Sequence, residues 1–246
     1  MPLTASPGPA LLYYSKEGFE LVQRIFAMAE YPVTAATSPK RHRDRMRYDA
    51  DTVHAILDAG FMAHVSFTVG GRPQLIPLAF GRDGERLYLH TSSGGQLALA
   101  ARASGAEGVP VAISVTHIDS VVLSRSAMHH SVDYRCVIAH GPLVHVTDPD
   151  EQLHAYRVII DHLVPGRADD VRAPSPKENA QTTVLRLDLD QVAAKVRDHG
   201  LAEDPDDLDL PHYAGVVPLT TTRGPIRPDR ADQDVPPYLA TWLGAS

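Results

Sequence analysis

Two glycine turns, Gly70-Gly71 and Asp83-Gly84, divide residues 61–91 into three short runs of β-forming residues. Dipeptides of this kind tolerate the positive φ that a two-residue hairpin needs. The runs at 61–68, 74–80 and 86–91 must therefore follow one another as an antiparallel meander, a common beginning of a small barrel. Further β patterning lies at 109–115, 119–123, 134–146 and 182–189. The long run should curve or bulge near Gly141-Pro142, and 192–196 reads as a continuation of 182–189 after a bend. Helices interrupt the strands at 49–58 and 96–103. The clearest helix starts at Asp148, with Pro149 in the first helical position and Glu151 completing a capping box. Leu153, Tyr156, Ile159, Ile160 and Leu163 then recur at helical spacing until Val164-Pro165-Gly166. The predicted class is mostly β with inserted helices (α+β), an antiparallel Greek-key-like barrel.

One domain is expected over residues 45–220. Residues 1–44 read as an extension holding a helix at 17–30, and 221–246 as an irregular, Pro-rich tail. Lys40, Arg41, Arg43, Arg45 and Arg47 make residues 38–47 strongly basic; a solvated linker is the first reading and a phosphate-binding arm the second. Elsewhere Lys and Arg are scattered over a chain of net charge −7, which argues against nucleic acid as a partner. No apolar run is long enough to span a bilayer, and no signal-like apolar core follows a basic start. A cytoplasmic protein is the expectation. Cys136 is the only cysteine, which excludes an intramolecular disulfide and a Cys-rich metal site.

Two segments could carry chemistry. In residues 76–96 a strand, a turn and a second strand run into Ser92-Ser93-Gly94-Gly95 and a helix start. Small residues there leave backbone N–H groups free to hold a phosphate, with Ser92 and Ser93 as hydroxyl donors and His90 and Thr91 beside them. The alternative is that Ser93 merely caps the helix. The second segment, 124–135, gathers His129, His130, Tyr134 and two arginines. Such a cluster could bind an anion or support proton transfer. Adjacent histidines on a strand point to opposite faces, and no HxxxH or HExxH pair occurs, so no metal site is expected. Cys136, beside Arg135, reads as a buried, inert thiol. Walker A, GxGxxG and GxSxG patterns are all missing.

At these segments the chain resembles the pyridoxamine 5′-phosphate oxidase-like family of FMN-binding split barrels, in its flavin-nucleotide-binding, nitroimidazole-resistance-like branch. The matching pieces are residues 49–58, 74–80, Asp83-Gly84, 87–90, 91–95 and 129–135. They continue through 163–167, 195–197 and 214–219, so the resemblance spans about residues 42–220. It implies a homodimer with FMN held between subunits. The backbone of Ile76, Pro77, Leu78 and Ala79 would line the flavin ring. His90, Thr91, Ser92 and Ser93 would approach the ribityl chain and phosphate. Tyr134 and Arg135 would lie near the cofactor, from a neighbouring strand or subunit, and the island around Tyr213 would pack at the interface or flavin face. Gln96 departs from the pattern, because the resemblance implies a phosphate-pairing cation there.

The resemblance implies an FMN-dependent oxidoreductase acting on a small molecule, reduced by a nicotinamide nucleotide or a reductase. His130, Tyr134 and Arg135 are its candidate catalytic residues. The alternatives are a non-catalytic flavin carrier or sensor, and a haem-binding split barrel in which a histidine is the axial ligand. Gln96 favours haem, which needs no phosphate partner.

Overall fold

The computed structural model describes residues 30–230 and 232–244. The helix expected at 17–30 lies almost wholly outside these residues. Nine strands are present: β1 (Met46–Arg47), β2 (Met62–Val69), β3 (Arg72–Asp83), β4 (Arg86–Ser92), β5 (Val109–Leu123), β6 (Ser131–His145), β7 (Thr182–Asp188), β8 (Gln191–Arg197) and β9 (Gly215–Pro218). Among the described residues five helices accompany them: α1 (Ala50–Asp58), α2 (Gln96–Ser104), α3 (Pro149–Leu163), α4 (Pro176–Gln181) and α5 (Pro237–Leu243). The strand order is β1-β8-β6-β7-β4-β3-β2-β5-β9, and a β5–β6 ladder closes the barrel. Among the described residues no helix is long and apolar enough to cross a membrane.

The meander forms as expected, with positive φ at Gly70, Gly71 and Gly84. Alternation sends Ala63, Val65 and Phe67 of β2 inward, where they meet Phe80, Leu87, Leu89, Ile113, Val137 and Leu185. Each such buried side chain contributes roughly 1.5–3 kcal/mol. Asp49 caps α1 by accepting the Thr52 N–H at 2.8 Å, and Val53, Ile56 and Leu57 join the same core. Tyr31 is buried with them, so packing on this core begins before residue 45.

Several expectations change. The runs at 109–115 and 119–123 are one strand, β5, whose register shifts between Ile118 and Ser120. The bulge sits there, and the β5–β6 ladder passes Gly141 and Pro142 without a slip. At that point β6 instead changes neighbour, from β8 (ending at His140↔Gln191) to β7 (starting at Val144↔Arg186). β8 does not continue β7; it pairs with β6 and β1. The basic segment is solvated as expected but has structure of its own: Arg43–Arg45 form a 3-10 turn and Met46-Arg47 pair with β8. The tail is not wholly irregular, since α5 docks through Tyr238, whose hydroxyl donates to Asp170 at 2.8 Å.

Helix α3 closes one side of the barrel. Its Asp148 caps as expected, accepting the Glu151 N–H at 2.8 Å. Glu151 does not complete a capping box, because its carboxylate accepts from Tyr88 Oη (3.1 Å) and Arg186 (2.8 Å). Ion pairing to β7 outweighs the local bond. The helix approaches so closely that a Cβ on Gly81 would lie 2.7 Å from the Val158 carbonyl oxygen. A complete capping box occurs instead at Ser175 and Glu178, starting α4.

Candidate functional site

Among the described residues, no helix covers the outward face of β2, β5, β6 and the first half of β3, while α3 packs only on the end of β3 near Gly81. Register places Pro77, His64 and Ser114 in one outward row, which Ile138 of β6 continues. Met62 and Ala79 face out on one side of that row, Leu75, Ser66 and Ala112 on the other. Leu75 is 63% exposed and Met62 48%, unusual values for apolar residues in mid-sheet. His64 stands at the centre of this face, exposed and without a hydrogen bond among the described residues. The sequence reading passed over it, although its outward parity in the apolar run FMAHVSFTV was a usable signal.

The second feature is a gap. β3 pairs with β4 only from Phe80↔Leu89 to Asp83↔Arg86. Its earlier half pairs with β2 alone, and the later part of β4 with β7 alone. Two main-chain edges therefore diverge from the Phe80–Leu89 pair, one at residues 74–79 and the other at 90–92. Alternate N–H and C=O groups along each edge point into the gap. Ile76, Pro77, Leu78 and Ala79 form one lip, with Pro77 and Ala79 outward and Ile76 and Leu78 packed on the core. His90, Thr91 and Ser92 form the other.

At the end of that lip, Gly95 takes the N-cap of α2 with no side-chain cap. The first-turn amides have no partner within the helix, and Gln96 stands exposed at the first position. Ser93 is not the cap. Its N–H donates to Gln181 O and its Oγ to Ala180 O, both at 2.9 Å. Arg102, which the sequence reading missed, reaches back along α2 and donates to the Ser93 carbonyl. Lipped by unpaired backbone and ending on free amides and a guanidinium, the gap fits a flat ring system with an anionic tail. The open face, with His64 among Leu75, Met62, Pro77 and Ile138 and a second unengaged imidazole, His140, in the next row, fits a haem.

Other candidates are placed elsewhere. Tyr134 and Arg135 lie on β6, separated from β3 by β2 and β5. Arg135 is held by Asp119 at 3.2 Å, and His130 bonds to the Ser126 carbonyl at 3.1 Å. One chain therefore does not bring these three to the gap. His129 turns the other way, to Asp204 at 3.3 Å, with Asp207 alongside. Cys136 is buried, and that burial pushes its thiol up from the ordinary value, with Lys195 opposing. Tyr213 is exposed just before β9, an edge strand on β5.

Residues 49–196 match the family described as pyridoxamine 5′-phosphate oxidase. The flavocytochrome Anf3 from Azotobacter vinelandii has a similar structure, with 32% identity and a TM-score of 0.77, covering 87% of this chain and 98% of that one. The FAD and heme binding protein from Mycobacterium smegmatis is 31% identical, with a TM-score of 0.73 and coverage of 80% and 97%. A nitroimidazole-resistance-like protein from Bacteroides thetaiotaomicron shares the fold at 21% identity and a TM-score of 0.51, over 61% of this chain and 86% of that one. No curated protein sequence matches. On the family match and the two relatives above 30% identity, the chain belongs to the pyridoxamine 5′-phosphate oxidase-like family of flavin-binding split barrels.

Proposed function

We propose that this protein is a redox enzyme that holds a flavin in the gap between β3 and β4 and a haem on the open face. The observation that carries the reading is His64 at the centre of a sheet face that no described element covers, with exposed Leu75, Met62 and Ile138 around it and His140 at its border. The naming of a flavocytochrome and of an FAD and heme binding protein among its relatives supports it. Flavin supplies two-electron chemistry and haem one-electron chemistry when bound; the chain supplies position and exclusion of water. Backbone at 76–79 and 90–92 would orient the ring, the α2 amides and Arg102 would hold the phosphate end, and His64 would ligate the haem iron.

The resemblance implied FMN, but Gln96 favours FAD. A phosphate monoester carries nearly two charges, whereas each phosphate of a dinucleotide carries one and asks less of a neutral glutamine. A second copy of the chain covers the open face, bringing Tyr134, Arg135 and His130 of one protomer toward the gap of the other. The substrate is a small molecule.

The test is the absorption spectrum of the purified protein, with chromatography of the released pigments. Flavin bands, a Soret band and released FAD are expected, and His64→Ala should lose the Soret band while keeping the flavin. Released FMN would correct the flavin assignment alone. A protein that takes up neither flavin nor haemin would overturn the reading.

A further inference from the structure

We propose that residues 40–47, together with Lys195, form a docking surface for a small acidic electron-carrier protein. This rests on the redox reading above and names its electron donor. The segment carries Lys40, Arg41, Arg43, Arg45 and Arg47 against the single carboxylate of Asp44, on a chain whose net charge is −7. Among the described residues, none of these five cations, nor Lys195, lies within ion-pair distance of a carboxylate. Arg82, Arg125, Arg135, Arg157 and Arg186 all have such partners. Among the described residues Arg72, Arg102, Lys177, Arg223 and Arg227 also lack such partners, but they are scattered, so the unbalanced charge is densest in this strip.

The strip is also held in shape. Met46 pairs with Lys195 and Arg47 with Ala194. Arg43 Nε donates to the Pro39 carbonyl at 3.3 Å, and Arg47 to the Asp44 and Met46 carbonyls at 2.8 and 2.9 Å. His42 adopts a left-handed conformation (φ 55°) at the start of the turn. Arg45 bonds to the imidazole of His199 at 3.4 Å, while its Nε is buried with no partner.

Position gives the strip its purpose. β1 is the edge strand beyond β8, and β8 pairs with β6, the last strand of the open face. Lys195 is registered to Cys136, two residues from Ile138. The strip thus borders the cofactor face without covering it. Lys40, Arg41 and Arg43 are all exposed, a run of like charge that suits an acidic protein surface. Such patches speed encounter with oppositely charged partners in a salt-dependent way.

The experiment is stopped-flow reduction of the loaded protein by reduced plant-type [2Fe–2S] ferredoxin, compared with dithionite. Two ferredoxins, each losing one electron, and two protons from water reduce one bound flavin. In Lys40→Glu/Arg41→Glu/Arg43→Glu, ferredoxin-driven reduction should slow by at least about tenfold and lose its salt dependence. Dithionite reduction should stay unchanged. The neutral Gln triple variant should fall between, which separates charge from misfolding. Equal ferredoxin rates in all three proteins would overturn the proposal. So would a wild type that dithionite reduces and ferredoxin does not, or a strip that holds duplex DNA or anionic vesicles as tightly as ferredoxin. A wild type that dithionite cannot reduce would instead overturn the redox reading itself.

Discussion

The barrel has two sides built from similar strands and finished in opposite ways. On the α3 side, Tyr88, Val146 and Val184 lie sealed under Ala155 and Ile159, and Gly81 lets the helix backbone come within contact distance. On the other side, Leu75, Met62 and Ile138 present apolar groups that no element among the described residues covers. Exposed apolar surface of this kind marks a binding face. The closed side therefore answers to stability and the open side to binding.

Substitutions can break or sharpen that contrast. The largest effect should come at the bulged end of the β5–β6 ladder, where buried Asp133 and Arg197 pair. Asp133→Asn should cost about 4 kcal/mol in urea unfolding, because it strands a buried guanidinium. Burial alone would raise the Asp133 carboxyl, but bonds from Ser120 and Gly200 and the Arg197 charge hold it below the usual range. Its contribution is then present above about pH 4 and lost as pH falls through the lowered value. The variant should show a flatter acid limb. Ile159→Ala, on the closed side, should cost about 3 kcal/mol. Gly81→Ala should cost about 2 kcal/mol, since the new methyl meets helix backbone rather than a yielding side chain. Ile138→Ser, on the open side, should move monomer unfolding by no more than about 0.5 kcal/mol yet weaken self-association in sedimentation. A loss there as large as that of Ile159→Ala would erase the distinction between the two sides.

The closed side was legible in the sequence. Asp148-Pro149 and the spacing from Leu153 to Leu163 mark α3, and the glycine turns mark the meander, because these signals are local. Ser175 and Glu178 announced α4 equally locally and were simply passed over. The open side was harder to read. That His64 sits in the row with Pro77 and Ser114 depends on register between strands fifty residues apart in the chain, and short-range patterning does not encode it. The gap is an absence of pairing between β3 and β4, which no motif spells out. Arg102 was missed for a related reason, since its link to Ser93 runs back along a helix whose pattern shows only which face is buried.

Strand β6 has one further consequence. It lies between β5, made before it, and β7 and β8, made after it. A chain emerging from the ribosome can hairpin β5 with β6, but one edge of β6 stays bare until residues 182–197 have been synthesised. The bed of α1 is incomplete until then as well, since Val192 and Ala194 belong to the same core. The barrel therefore shuts late, and a nascent chain halted before residue 182 carries an open strand edge that invites aggregation or a chaperone.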